Sequence, residues 1–163
     1  MQFGKEKDGD QLRAIVSRPK PTIQTELPQE ASYYCLVDES WKSSRDLIGI
    51  GWSLYSKEGN RLLQGSSSLK TVNTVGEAEA AALLSAVQQL RRLNYKQVAF
   101  MADCKNMIEE LNQLRTEQTL KMNRIKECAY TFHYVSRESP SHVDALAKQA
   151  RVTHKNYVIT WIF

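Results

Sequence analysis

The stretch Tyr33-Tyr34-Cys35-Leu36-Val37-Asp38 is a short apolar run that ends abruptly on an acid. Aromatic and β-branched residues suit a pleated, half-buried surface, and a run this short reads as a buried strand. The design recurs at Gln97-Val98-Ala99-Phe100-Met101-Ala102, which ends on Asp103. If these two strands lie parallel as neighbours, both carboxylates leave the sheet at one edge, where open α/β sheets place their sites.

Working outward from Asp38, Ile48, Ile50, Trp52 and Leu54 alternate with Gly49, Gly51 and Ser53, the period of a strand with one well-packed face. Lys57-Glu58-Gly59-Asn60 is a hairpin turn signal, and Arg61 to about Ser67 returns as a third strand. The period then changes. Ala80, Leu83, Leu84, Val87 and Leu90 fall at helical spacing between about Gly76 and Leu93, and Asn94-Tyr95 breaks the pattern. After Asp103, Met107, Ile108, Leu111 and Leu114 mark a second helix, a weaker one spans about Gln118 to Ala129, and Thr131 to Val135 is a fifth strand. Ser141 opens a last helix with Val143, Leu146, Ala147 and Ala150 on its apolar face. Three strands joined by short turns form an antiparallel unit, and strands separated by helices add in parallel. The expected fold is α/β: a mixed five-stranded sheet, three strands antiparallel and two parallel, flanked by helices.

Residues 1–32 carry Pro19, Pro21 and Pro28 among polar and charged residues and are expected as a disordered tail or linker. Residues 33–152 form the domain. Residues 153–163 are a C-terminal tail that is apolar for a tail, with Tyr157, Val158, Ile159, Trp161, Ile162 and Phe163; it packs either on the domain or on a partner. The net charge of +4 permits a nucleic-acid partner without demanding one. Cys35, Cys104 and Cys128 are odd in number, with no zinc-ligand or CxxC spacing, and are expected as reduced thiols of an intracellular protein, nuclear or cytoplasmic. No run approaches the roughly 20 apolar residues of a membrane span, and no apolar signal core stands at the N-terminus, so neither membrane insertion nor secretion is expected.

Four acids can converge at the sheet edge. Asp38 and Asp103 end strands, Glu79 lies near the start of the first long helix, and Asp144 lies in the first turn of the last. Each alone has an ordinary structural role: a turn residue after a strand, a first-turn acid favoured by the helix dipole, or a capping-box partner of Ser141. Together they repel and require a cation, and all-oxygen donors suit magnesium or manganese rather than zinc. Two such ions roughly 4 Å apart suit in-line phosphodiester chemistry.

Residues from about Tyr33 to Arg151 resemble the ribonuclease H superfamily, in particular the plant-type domains of LINE-like retrotransposons and host proteins derived from them. The resemblance is carried by Leu36-Val37-Asp38-Glu39-Ser40-Trp41, Gly49-Ile50-Gly51-Trp52, Gly76-Glu77-Ala78-Glu79-Ala80-Ala81-Ala82-Leu83-Leu84, Ala102-Asp103-Cys104, Arg137-Glu138 and Val143-Asp144-Ala145-Leu146-Ala147-Lys148. It implies a ribonuclease H-like fold and a metal-dependent endoribonuclease that hydrolyses the RNA strand of RNA–DNA hybrids. Asp38, Glu79, Asp103 and Asp144 would be its catalytic metal ligands for Mg2+, with Mn2+ able to substitute, and Ser40 and Arg137 its substrate contacts. Glu77 is the alternate to Glu79. The resemblance leaves open whether the chain is a free protein or part of a larger reverse transcriptase polyprotein.

Three positions depart from the family's pattern. Glu39 stands where a small residue is usual, and either repels the phosphate backbone or faces solvent. Tyr134, with His133 beside it, stands where a histidine is usual, and Pro140 replaces an asparagine. His142 is expected in a loop or cap role. Lys121, Arg124 and Lys126 are expected on a solvated helix face, and Trp41 as a core seal rather than a stacking platform. The alternative to the enzyme is a catalytically weak or inactive relative that binds nucleic acid or a protein; another nuclease of the superfamily, an exonuclease or resolvase, is the third reading.

Overall fold

The computed structural model describes residues 31–121, 129–136, 141–154 and 157–162. Its elements are β1 (Tyr33–Ser40), β2 (Ile48–Ser56), β3 (Arg61–Leu69), α1 (Val75–Arg92), β4 (Val98–Ala102), α2 (Lys105–Lys121), β5 (Thr131–Tyr134), α3 (Ser141–Thr153) and β6 (Val158–Trp161). They build one mixed sheet in the order β5-β4-β1-β2-β3-β6. β1, β2 and β3 are antiparallel neighbours, and β4 and β5 add in parallel beside β1. The expected mixed sheet is present, with the strand number corrected from five to six. The extra strand is the apolar C-terminal segment, which pairs antiparallel with β3 through Gly65↔Ile159. The break expected near Gln118 is absent, since α2 runs unbroken to Lys121; residues 122–128 of the expected third helix lie outside the described residues. Among the described residues no helix is long and apolar enough to cross a membrane.

The strand parity divides the core in two. On one face Cys35, Val37, Ile50, Trp52 and Phe100 pack against α1 and the start of α2. On the other, Tyr34, Leu36 and Met101 pack with Val143 of α3. Helix α1 buries Ala78, Ala82, Leu83, Ala86 and Leu90 on its sheet-facing stripe. Thr74 caps its start in a reciprocal box with Glu77, satisfying backbone donors that the first turn leaves open. Its end is closed by Asn94 at φ 66°, with Asn94 N donating to Arg91 O and Tyr95 N to Leu90 O. This is a Schellman closure, for which asparagine tolerates the left-handed residue.

Helix α3 lies unusually close to β2 because Gly49 and Gly51 present no side chain there. A Cβ on Gly49 would run into the carbonyl oxygen of Ala147, and one on Gly51 would sit 2.7 Å from that of Val143. Trp52 fills the opposite face, fully buried, over Gly65. Its indole Nε1 donates to the Tyr157 hydroxyl at 2.7 Å, and Ser85 Oγ donates to the same oxygen at 3.0 Å. The C-terminal segment therefore belongs to the domain: it lengthens the sheet and satisfies the polar atom of the largest core residue.

Two substitutions test this packing in urea or thermal unfolding. Gly49→Val is expected to destabilise by about 3 kcal/mol or more, because backbone of α3 has to move. Tyr157→Phe, which keeps the ring, is expected to cost about 1–3 kcal/mol by stranding the buried Trp52 donor.

Candidate active site

Parallel pairing of β1 with β4 in the register Leu36↔Met101 carries, two residues on, to Asp38 and Asp103. Both acids reach the same sheet edge as expected, although β1 runs two residues past Asp38 to Ser40 while Asp103 directly follows β4. Asp38 is buried at 4% exposure, and its Oδ1 accepts from Glu39 N at 2.9 Å. Asp103 is half-buried, with both carboxylate oxygens shielded from solvent. Asp144 sits in the first turn of α3 and lines one cavity with Asp38, Glu39, Ser40, Trp41 and Lys148.

Glu39 also enters the cluster. One ligand oxygen each from Asp38, Glu39 and Asp103 lie within 4.8 Å of one another. The sequence left Glu39 either repelling the phosphate backbone or facing solvent, and did not count it among the metal-holding acids. Glu39 lies on the opposite face of β1 from Asp38, and its longer stem lets the two carboxylates meet at the sheet edge. Glu79 is half-buried on α1 and outside this closest trio. Burial pushes the Cys104 thiol up to about 12, helped by the charges of Glu79, Glu39 and Asp103, so Glu79 lies on the α1 side of the same acidic region. Glu77 is engaged elsewhere. Its Oε1 accepts from Asn73 N at 2.9 Å and Thr74 N at 3.2 Å as part of the α1 cap.

Two basic residues hold the walls of the site. Lys148 Nζ stands 3.1 Å from Asp144 Oδ2, one helical turn away. Arg151 Nε donates to Ser40 Oγ at 2.8 Å, tying the end of β1 to the last turn of α3. The role of Arg151 was not legible beforehand, since a basic residue near a helix C-terminus is ordinary. Ser40, expected to contact substrate, lines the cavity with its hydroxyl already held by Arg151. Arg137, the other expected contact, and Pro140 lie outside the described residues.

Trp41 packs on the core and donates Nε1 to Val72 O at 3.4 Å, the sealing role expected of it. Neither nearby histidine joins the acids. His133 contacts Thr131 Oγ1 at 2.8 Å along its own strand, and Tyr134 is exposed. His142 packs beside Arg61 and Gln64 of β3. Burial and the Arg61 charge push its ring down to about 4, so it is neutral at physiological pH.

The reverse transcriptase-like family matches this chain over residues 36–150. No curated protein sequence matches it. Among solved structures, the chain is similar to ribonuclease H1 of the halophilic archaeon Halobacterium salinarum NRC-1, at 18% identity and TM-score 0.59, over 72% of this chain and 96% of that one. It is similar to LC11-RNase H1, from compost and solved in complex with an RNA/DNA hybrid, at 17% identity and TM-score 0.59, over 74% and 97%. A third is the N-terminal RNase H domain of Rv2228c from Mycobacterium tuberculosis, at 16% identity and TM-score 0.57, over 75% and 94%. Identities this low establish a shared fold. With the family match over most of the folded part and an acidic edge built from β1, β4 and α3, the chain belongs to the reverse transcriptase-like family and has the ribonuclease H-like fold.

Proposed function

We propose that this domain is a magnesium-dependent endoribonuclease that cuts the RNA strand of RNA–DNA hybrids, with Asp38, Glu79, Asp103 and Asp144 as its metal-holding acids. The observation that carries the reading is the meeting of Asp38 and Asp103 at one sheet edge, in an acidic region that Asp144 borders. The donors fit a hard divalent cation: all are carboxylate oxygens, those of Asp103 are shielded from water, and those of Asp38 and Asp103 lie close enough to repel. Magnesium or manganese would suit them, and Asp38, Glu79, Asp103 and Asp144 would hold such ions to supply water activation and charge neutralisation for phosphodiester hydrolysis.

The chain's own residues supply position. β1 holds Asp38 within its strand and β4 ends directly before Asp103, so both carboxylates are placed by the sheet. Lys148 orients Asp144, and the Arg151–Ser40 contact fixes the strand end beneath the phosphate path. The partner is the hybrid itself, gripped through phosphates and 2′-hydroxyls, with Arg137 and Ser40 as the proposed contacts. The LC11 neighbour, solved with such a hybrid, supports this choice. The family match is compatible with the domain being one part of a larger reverse transcriptase polyprotein. One observation favours a slower or non-cleaving relative: Glu39 adds negative charge where phosphate must approach.

A labelled RNA–DNA hybrid incubated with Mg2+, Mn2+ or EDTA separates these readings. Cleavage of the RNA strand with either metal, lost in EDTA and in Asp103→Asn, is the expected result. Tight hybrid binding without cleavage would establish the binding module instead, and neither binding nor cleavage would point to a protein partner. The repulsion within the cluster has its own readout. In EDTA at neutral pH, Asp103→Asn is expected to melt about 2 °C or more above the parent, because a binding site is arranged at the expense of stability.

A further inference from the structure

On β1, Asp38 stands across from Gly51, on the face that α3 covers; Glu39 stands across from Ile50, on the face that α1 covers. A glutamate at a strand end, with a flexible stem and open water nearby, ordinarily extends into solvent. Glu39 does the opposite. It is half-buried, and its carboxylate turns in to share a space of 4.8 Å with Asp38 and Asp103. It also lines the cavity that contains Asp144. Its charge, like those of Glu79 and Asp103, helps hold the Cys104 thiol above its ordinary value, so all three face the same region. A third like charge at that spacing is unfavourable alone and becomes favourable when a cation is shared.

We infer that Glu39 is a metal-contacting carboxylate, joining Asp38 and Asp103 from the α1 side, so that this chain grips its divalent ions with five acids. The inference rests on the proposed reading of the cluster as a divalent-metal site. Affinity for hard cations rises with the number of charged ligands, so the added acid makes a site that retains an ion before nucleic acid arrives. The residue that sequence comparison would score as a mismatch thereby becomes part of the binding chemistry.

Isothermal titration of the whole chain with Mn2+, with no nucleic acid present, tests this. Parent, Glu39→Gln, Asp103→Asn and Glu77→Gln are compared in low and in high potassium chloride. Glu39→Gln is expected to weaken Mn2+ binding about tenfold. The loss should persist in high salt, where charges acting from a distance are screened. Glu77→Gln, whose parent carboxylate is bound into the α1 cap, should leave the affinity unchanged. Unchanged affinity in Glu39→Gln, or a loss that vanishes in high salt, overturns the inference. If Asp103→Asn still abolishes binding in that case, the metal site itself stands. If the parent binds no Mn2+, or Asp103→Asn has no effect, the metal-site reading falls and the inference with it. Should Glu39→Gln fail to fold, Glu39→Ala repeats the comparison.

Discussion

The parallel pairing of β1 with β4 is the constraint on which the rest of the structure depends. Parallel neighbours run in the same direction, so residues that end them emerge at one edge. An aspartate near the end of β1 and another directly after β4 are thus delivered to one place. The register Leu36↔Met101 makes this convergence exact to the residue. The helices then complete the edge from both sides, α3 bringing Asp144 over one face and α1 bringing Glu79 towards the other.

Holding like charges together costs stability, and the surrounding packing supplies what the edge gives up. The close seat of α3 on Gly49 and Gly51 trades side-chain volume for backbone contact, fixing Asp144 relative to Asp38. Arg151 reinforces that seat from the other end of the helix through Ser40. On the opposite face the buried Trp52 anchors the core, with its indole donor satisfied by a residue from beyond the last helix. The acidic edge is therefore carried by a scaffold whose own polar atoms are largely matched, as precise sites require.

Much of this was legible in the chain. Short β-prone runs ending on Asp38 and Asp103, glycines alternating with Ile48, Ile50 and Trp52, and the period of α1 broken at Asn94 each report a local physical preference that tertiary packing keeps. What stayed hidden depends on distant partners. β6 reads as a tail because nothing local says that β3 offers it an open edge. The Trp52–Tyr157 hydrogen bond spans 105 positions and has no local signature. That Glu39 meets Asp38 and Asp103 was hidden too, because it depends on β4, which delivers Asp103 from more than sixty positions away. The preference for Glu79 over Glu77 came from spacing alone, and the engagement of Glu77 in the α1 capping box is a partner contact that spacing does not show.

The central claim is that the acidic edge exists to hold divalent metal against nucleic acid. Anomalous diffraction from crystals grown with Mn2+ and an RNA–DNA hybrid tests it most directly. The account predicts strong manganese peaks among Asp38, Asp103 and Asp144, with the RNA backbone against them. Hybrid bound on another face of the domain, with no manganese at these carboxylates, would contradict it.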